Sequence, residues 1–404
     1  MNSSTSNSRP FYITWSAQSS AETLDVVGAD GEDFVLSNGR RIFDFLSTSF
    51  QTSFGHSQEF IISSIERQLR QMSIATPKAD FSLKRDVTEK LIALLGFSNG
   101  KLFYTVSGAE SVENALKIAR QIKGRTKIMA RQRSYHGASL GALSVTGDWR
   151  NANHFTCSEH TVRIPEPTDD RNCEALSSLF EMHQGSIAAL IVETITGANG
   201  VIIPPESWFA GVQDLCTRHD VFLILDEVLC GFGRTGKAFG FQHYPMLRPD
   251  IVCMAKAISG GYIPFGAIWT SQEIADAYED RTLSCGLTNY AHPLGLAALQ
   301  GVLTLLNSEE FDRSFNERIE FFTAEVQRLG QSLAQVTATR QIGMMAAIEL
   351  DRPAPSWRTA IERGMHLSST GQQIVIAPPL ITPVARILEE FRNLELLISD
   401  SRPN

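Results

Sequence analysis

From residue 101 onward, short apolar runs alternate with segments in which apolar residues recur at helical spacing. The runs include KLFYTV, KIMARQ, SIAALIVE, VFLILDE, DIVCMAK and GAIWTS, and helical patterns such as SVENALKIARQI and GVQDLCTRH lie between them. Buried strands that alternate with helices are typical of βαβ units, whose strands lie side by side in a parallel sheet. We therefore predict an α/β fold with a mostly parallel central sheet.

The two ends of the chain have a different pattern. EDFVLSNGRRIFDF is typical of a β-hairpin that turns at Asn38-Gly39, and PLGLAALQGVLTLL begins a long helix that leads into a mixed C-terminal region. We predict a large α/β domain over residues 46–300. A smaller α+β domain is expected to form from residues 1–45 together with residues 301–404. The aromatic residues of FYITWS either line a pocket or anchor that smaller domain, and we expect the second.

Composition and charge argue against several classes of protein. The 404 residues carry a net charge of -8 and no Lys/Arg block, which disfavours nucleic acid and anionic lipid as partners. The longest apolar runs, IAALIV and VFLIL, are far shorter than the ~20 residues that cross a membrane. The start MNSSTSNSRP lacks the pattern of a secretory signal, so we expect a cytoplasmic protein.

Cysteine spacing gives no sign of a metal site. The six cysteines form no C-x-x-C pair and no Cys/His pattern that suits zinc, and they are expected to be reduced and mostly buried. They are Cys157, Cys173, Cys216, Cys230, Cys253 and Cys285.

Residues that bind ligands in a parallel sheet lie beyond the carboxyl ends of its strands. After KLFYTV, Gly108 and Ala109 open a helix whose free N–H groups suit a phosphate, although such a turn is more often only a connection. After KIMARQ, Tyr135 is placed either to stack on a flat ring or to cap the sheet. The helix start at Gly108 and the side chain of Tyr135 are thus two candidates for ligand binding at the same edge of the predicted sheet.

Two carboxylates follow the next strands. Glu193 ends SIAALIVE, where a solvated strand end is the ordinary interpretation. Asp226 follows VFLIL, and a buried carboxylate at that point needs a cationic partner, such as a protonated ring nitrogen.

Lys256 follows the strand DIVCM and precedes paired glycines. A lysine is seldom buried, and its ordinary place is with the charged head at the surface. Gly260 and Gly261 favour another interpretation, because they predict positive φ or a close approach of the backbone to a bulky group.

One chemistry uses this whole set of residues, namely pyridoxal phosphate bound to a lysine as a Schiff base. The phosphate would lie at the helix start, and Asp226 would keep the ring nitrogen protonated. Lys256, released when substrate binds, would move the proton from the substrate carbon to the cofactor as general base and then general acid.

The chain resembles the class III aminotransferases, which have the pyridoxal-phosphate fold type I, and the similarity extends from GRRIFDF to APPLIT. The motifs that carry it are SGAESVENALKIAR, YHG, VETITGANGVIIPP, LILDEVLCGFGRTG, PDIVCMAKAISGGYIPFGA and TNYAHPLGLAAL. DEVLCGFGRTG and the last two motifs are most similar to the ω-transaminase branch. The resemblance implies a ping-pong transfer of an amino group from an amine or amino acid to a keto acid or aldehyde.

The same resemblance implies a role for each candidate residue and a homodimer with shared sites. Lys256 would be the Schiff-base lysine and Asp226 the partner of the pyridinium nitrogen. The remaining cofactor-binding residues would be Gly108 and Ala109 at the phosphate, Tyr135 and Val228 on the two ring faces, Glu193 beside Asp226, and Thr288 at the phosphate of the neighbouring subunit.

Three departures from the family pattern stand out. Ala109 replaces a serine or threonine at the phosphate, and Leu229 replaces a glutamine. No arginine that would bind a substrate carboxylate precedes APPL, where Ser368 or Val375 stands instead. Either another group serves, such as Arg150, Arg163 or His366, or the substrates are larger or less charged amines and aldehydes rather than pyruvate or glutamate.

Other functions remain open from the sequence alone. GFGRTGKA, residues 231–238, is close to the Walker A motif of nucleotide hydrolases, but Ala238 replaces the magnesium-binding hydroxyl. Racemases, aminomutases, decarboxylases and lyases of the same fold also use Lys256 and Asp226. A non-catalytic relative is disfavoured because both of those residues are present.

Overall fold

The computed structural model of the protein describes residues 9–152, 154 and 158–400, apart from the side chains of residues 310 and 312, so Cys157 lies outside the described residues. The strands are β1 Val26–Asp30, β2 Asp33–Leu36, β3 Arg41–Phe43, β4 Lys101–Thr105, β5 Lys127–Arg131, β6 Thr161–Ile164, β7 Ile187–Glu193, β8 Phe222–Asp226, β9 Ile251–Met254, β10 Gly266–Thr270, β11 Val336–Ile342, β12 Met345–Leu350, β13 Ser368–Thr370 and β14 Gln373–Ile376. The helices are α1 Ser47–Phe50, α2 Glu59–Gln71, α3 Ser82–Leu95, α4 Gly108–Lys123, α5 Leu140–Val145, α6 Glu174–Met182, α7 Glu206–Arg218, α8 Gln272–Asp276, α9 Pro293–Leu306, α10 Glu309–Ser332, α11 Trp357–Glu362 and α12 Val384–Asp400.

A seven-stranded sheet forms the centre of the molecule, in the order β4-β10-β9-β8-β7-β5-β6. Strands β9, β8, β7, β5 and β6 are parallel, whereas β10 runs antiparallel to both of its neighbours. Every residue of β7, β8 and β9 is buried, as expected for strands that are covered on both faces. The structure confirms the predicted mostly parallel sheet, and the single antiparallel strand is the feature that the pattern of apolar runs did not predict.

Helices cover the two faces of this sheet. On one face, α4 buries Val112, Leu116 and Ala119, which are spaced three and four residues apart and so lie on one side of the helix. On the other face, α7 and α9 pack side chains such as Trp208 and Leu299 against the strands. Both faces are therefore dry, and the carboxyl ends of the parallel strands are left as an edge where polar residues can meet a ligand.

The chain ends form the predicted smaller unit. The β2–β3 hairpin turns at Gly39, which has a φ of +80°, and the C-terminal segment contributes the antiparallel sheet β11-β12-β14-β13. Phe43 forms a parallel bridge with Met365, and the N–H of Ala377 donates to the carbonyl of Phe45 at 2.7 Å. We propose boundaries near residues 45 and 300, and since α9 runs through residue 300, the second connection is helical.

A left-handed turn joins the two units. The four residues of α1 have φ values of 47°, 47°, 60° and 69°, although none of them is glycine. Such a conformation costs roughly 1–2 kcal/mol per residue, so other contacts must hold it. The fully buried Asp44 accepts hydrogen bonds from the N–H and hydroxyl of Thr48 at 2.9 and 2.8 Å, and it lies within 3.1 Å of a ring nitrogen of both His56 and His366.

Arg234 secures the same turn from the other side. Its fully buried guanidinium donates to the carbonyls of Met344 and Pro378 at 2.9 and 2.6 Å and to the hydroxyls of Ser47 and Ser53 at 3.1 and 3.0 Å. Burial lowers the pKa of Arg234 to about 9. The arginine therefore ties the large domain and its left-handed turn to the C-terminal segment.

This arrangement contradicts the nucleotide-hydrolase alternative. The 231–238 segment forms consecutive turns, and only a four-residue 3-10 helix, Gly240–His243, comes after it. A Walker A loop requires a helix that starts at its lysine. In this fold the segment holds the two units together through Arg234.

We expect Arg234→Met to lower the free energy of unfolding by about 3 kcal/mol, because two buried carbonyls lose their donor. Urea unfolding at a fixed protein concentration measures the change. Arg218→Met is the matched control, since Arg218 makes only an exposed ion pair with Asp214 and should change stability by less than about 0.5 kcal/mol. Equal unfolding midpoints for the two variants would contradict this account.

Candidate active site

A cavity of about 390 Å³ opens at the carboxyl ends of the parallel strands. Its lining contains every cofactor-binding residue that the sequence analysis named, except Thr288. The residues that it brings together are Gly108, Ala109, Tyr135, Glu193, Asp226, Val228 and Lys256. Thr288 lies in an exposed loop before α9 and does not line this cavity.

One end of the cavity is the start of α4. The side chain of Ser107 accepts a hydrogen bond from the N–H of Glu110 at 3.2 Å, which leaves the N–H groups of Gly108 and Ala109 without a partner in the described part of the chain. A Cβ atom at position 108 would lie 2.9 Å from Cγ1 of Val228, so only glycine fits there. The unpaired N–H groups and the helix dipole favour an anion at this end.

Asp226 lies at the end of β8, and only 4% of its surface is exposed. One carboxylate oxygen accepts the N–H of Val228 at 3.1 Å, and the other lies 2.7 Å from Nδ1 of His136. Nε2 of His136 is buried and has no partner among the described residues. The sequence analysis noted His136 only as part of YHG, because its contact with Asp226 spans 90 residues and has no local signal.

Glu193 ends the neighbouring strand β7 and is also buried, with 5% exposed. Its carboxylate accepts the N–H of Tyr135 at 3.0 Å and lies 3.8 Å from the fully buried guanidinium of Arg131. Burial raises the pKa of Glu193, and the positive charge of Arg131 opposes that shift. A carboxylate at the end of a strand is ordinarily exposed to solvent, but that of Glu193 is buried. It fixes the loop that carries Tyr135 instead.

Lys256 follows β9 directly and lies in the cavity rather than at the surface. Its φ of +50° is unusual for a residue with a side chain, and such strain clusters at functional sites. Nζ lies 5.6 Å from the centre of the Phe50 ring and makes no hydrogen bond within the described chain. Burial lowers the pKa of Lys256, and the carboxylates of Asp226 and Glu193 act against that shift.

The paired glycines after Lys256 have the geometry that the sequence predicted. Gly260 and Gly261 have φ values of +63° and +83°. A Cβ atom at Gly260 would approach Ile61 to 2.7 Å, and one at Gly261 would approach Gln51 to 3.1 Å. These glycines let the lysine segment pack closely against the chain near the left-handed turn.

Part of the cavity wall is apolar. Leu229 lines the cavity and belongs to a cluster with Phe50 and Val375, of which Val375 is 3% exposed. Val375 of β14 pairs in register with Ser368 of β13. The two positions at which the family pattern would place an acid-binding arginine are therefore occupied by Ser368 and by the buried Val375. Leu229 gives the cavity an aliphatic surface where the family pattern has a glutamine.

The described residues contain no group of His, Cys, Asp and Glu that could hold a metal ion. Among the same residues, no helix is both long and apolar enough to cross a membrane. The cavity itself presents one lysine, two carboxylates and the anion seat at α4.

Comparison with known proteins agrees with this donor set. The family described as "Aminotransferase class-III" matches residues 15–398. An ω-aminotransferase of Caulobacter vibrioides is 31% identical over 91% of this chain and 92% of its own length. An adenosylmethionine-8-amino-7-oxononanoate aminotransferase of Anoxybacillus flavithermus is also 31% identical, over 94% of this chain and 90% of its own. These two relatives, whose names differ in the substrate that they indicate, therefore have the same sequence identity to this chain.

Solved structures give the same result. The taurine:2-oxoglutarate aminotransferase of Bifidobacterium kashiwanohense, in complex with PLP and glutamate, superposes with a TM-score of 0.90 at 29% identity, covering 96% of this chain and 95% of its own. An (S)-enantioselective ω-transaminase of Thermomicrobium roseum has a TM-score of 0.86 at 28% identity, covering 94% and 93%. The chain therefore belongs to the class III aminotransferases, enzymes that depend on pyridoxal phosphate to transfer an amino group.

Proposed function

We propose that the cavity between α4 and the ends of β7, β8 and β9 is the active site of amino-group transfer, with Lys256 as the residue bonded to the cofactor and Asp226 as the partner of its ring nitrogen. One observation carries this proposal. A strained, half-buried lysine and a buried carboxylate line the same cavity at the ends of adjacent strands, beside an anion seat. A lysine and an acid buried together without such a ligand would be costly.

The residues present fit pyridoxal phosphate. The N–H groups of Gly108 and Ala109 would hold its phosphate, and Tyr135 and Val228 would lie against the two faces of its ring. Glu193 would remain beside Asp226 and keep the Tyr135 loop in place. When bound, the cofactor supplies an electron sink for the substrate carbon that carries the amino group.

The protein's own groups then have defined tasks. The Lys256 amine would take the proton from the substrate carbon and later return it as an acid. Because the pKa of Lys256 is lowered, a larger fraction of the amine is neutral and able to accept that proton. Asp226 would present its carboxylate to the ring nitrogen, since His136 and the N–H of Val228 orient its two oxygens. Phe50 excludes water next to the lysine, which strengthens these electrostatic interactions.

We propose an amine or amino acid as donor and a keto acid or aldehyde as acceptor. The apolar surface of Leu229 and Phe50 supports a donor with an uncharged organic group, which an aliphatic wall binds well. The names of the relatives, which include an ω-aminotransferase and a taurine:2-oxoglutarate enzyme, are compatible with donors of that breadth.

We further propose a cytoplasmic homodimer. The exposed loop position of Thr288 supports a role in the neighbouring subunit's site, because this residue does not line the active-site cavity of its own chain. Exposed apolar residues on and after α2, namely Phe60, Leu69 and Ile74, support an interface on that side. The five described cysteines are free thiols, as is common in a reducing compartment.

We expect Lys256→Ala to abolish the visible absorption band of the lysine-bound cofactor and all measurable turnover. The purified protein is titrated with pyridoxal phosphate, and the band is followed as amines and then keto acids or aldehydes are added. Lys237→Ala is the matched control, because Lys237 is the exposed lysine of the Walker-like segment and should keep both the band and the activity. Substantial turnover in Lys256→Ala would refute the assignment.

We expect Asp226→Asn to keep the visible band but to reduce kcat about 100-fold or more, since a neutral amide no longer holds the ring nitrogen protonated. Single-turnover absorption measurements separate this loss from a change in substrate binding. Circular dichroism tests whether the fold is retained. A kcat within about twofold of the wild type would remove Asp226 from this role.

We expect light scattering to give a particle of twice the 44.6 kDa chain mass. Thr288→Ala should leave that mass unchanged and weaken cofactor binding about fivefold, the effect of one lost hydrogen bond. A fully active monomer, or unchanged cofactor affinity in Thr288→Ala, would contradict the shared site.

A further inference from the structure

The cavity lacks a cation at the two small-domain positions, so three other basic residues were candidates for binding a substrate acid. Two of them are committed elsewhere. His366 lies with Nδ1 at 2.8 Å from the buried carboxylate of Asp44. Both terminal nitrogens of Arg163 donate, at 2.7 to 3.1 Å, to the backbone carbonyls of Arg131, Ser144, Val145 and Thr146. The terminal N–H groups of Arg163 are therefore all used, and His366 is held against Asp44 through Nδ1.

Arg150 is placed differently. Its guanidinium carbon lies 4.7 Å from the centre of the Tyr135 ring, and Tyr135 lines the cavity. The rings of Trp149 and Trp15 lie 4.8 and 5.5 Å from the same carbon, and the side chain of Arg150 is only 21% exposed. The cation is therefore held beside the cavity wall in partly dry surroundings, where its charge acts more strongly than in water.

The N–H groups of Arg150 are only partly used. Nη1 pairs with Asp148, and no hydrogen bond to Nε or Nη2 occurs in the described part of the chain. Aromatic faces attract a guanidinium without supplying an acceptor oxygen, so they do not consume these donors. Asp148 itself is fixed by the N–H of Arg150 at 2.9 Å. A guanidinium held in this way presents an edge that suits a planar carboxylate.

The electrostatic field of Arg150 reaches the catalytic lysine. Burial is the main cause of the lowered pKa of Lys256, and the positive charge of Arg150 contributes in the same direction. A carboxylate bound at Arg150 would therefore lie in the same electrostatic neighbourhood as Lys256.

We propose that Arg150 binds the carboxylate of an acid-bearing substrate, the keto acid acceptor or the amino acid donor, in place of an arginine on the small domain. The proposal rests on the proposed function of this cavity. It names carboxylic acids as one substrate class and assigns their recognition to the large domain, next to Tyr135.

The direct test measures binding without turnover. Holoenzyme is titrated with propionate and, separately, with its neutral isostere propionamide, and the change in the cofactor's absorption spectrum gives each Kd. We expect Arg150→Met to weaken propionate about tenfold or more and to change propionamide by less than about twofold. Arg150→Lys should recover part of the affinity, because it keeps the charge and loses the fork of donors. Arg218→Met controls for the loss of a surface charge.

Half-reactions give a second readout. In Arg150→Met, kcat/KM for alanine should fall about tenfold or more, while kcat/KM for benzylamine should stay within about twofold of the wild type. Equal losses with both donors, or unchanged propionate binding, would overturn the role of Arg150. A wild type that binds propionate through Arg150 but transfers no amino group would refute the proposed function and leave the acid site intact. If Arg150→Met instead transfers amino groups from alanine as fast as the wild type, the acid site is refuted and the proposed function stands.

Discussion

The buried carboxylate of Asp226 is the constraint on which the site depends. A negative charge that is 4% exposed at the end of a parallel strand is unfavourable unless hydrogen bonds and a cation compensate for it. The protein supplies one N–H from Val228 and one ring nitrogen from His136. The adjacent strand brings Lys256 to the same edge. The remaining compensation is what a protonated ring nitrogen would provide, so the arrangement is incomplete without its cofactor.

Backbone strain is concentrated around the same edge. Lys256 and the four residues of α1 adopt left-handed conformations without glycine, and the turn carries Phe50 to within 5.6 Å of the lysine Nζ. Two buried charges maintain the turn, Asp44 from within and Arg234 from the side of the large domain. The structure thus uses fully buried polar networks, which are strong only when satisfied, to hold strained residues where the chemistry takes place.

The sequence predicted the strand-end residues well because that signal is local. Asp226, Glu193 and Lys256 each follow an apolar run, and the rule for parallel sheets brings such residues together without knowledge of side-chain contacts. Contacts between distant segments had no comparable signal. The pairing of His136 with Asp226 depends on how two loops meet.

The contacts of the apolar residues near the cavity and of the N-terminal aromatic residues also join segments that are distant in the sequence, so they too had no local signal. The apolar contact of Val375 with Leu229 depends on how the small domain docks. Trp15 does not line the active-site cavity and instead packs on Trp149 and Arg150 of the large domain, contacts that no pattern in the sequence specifies. The proposed contact of Thr288 joins two subunits, so no pattern within a single chain predicts it.

A transaminase must bind two chemically different partners in one cavity, and the described groups divide naturally between these tasks. Leu229 lines the cavity and belongs, with Phe50 and Val375, to an apolar cluster to which the left-handed turn and the small-domain sheet contribute. Arg150 lies on the large domain, in a turn that is tied to the end of α5 by the hydrogen bond from Asn151 to the carbonyl of Thr146 at 2.9 Å. If acids bind at Arg150, their recognition is coupled to Tyr135 and the cofactor rather than to the small domain. Shifts of the C-terminal sheet β11–β14 would then alter the fit of the organic group more than the position of the carboxylate.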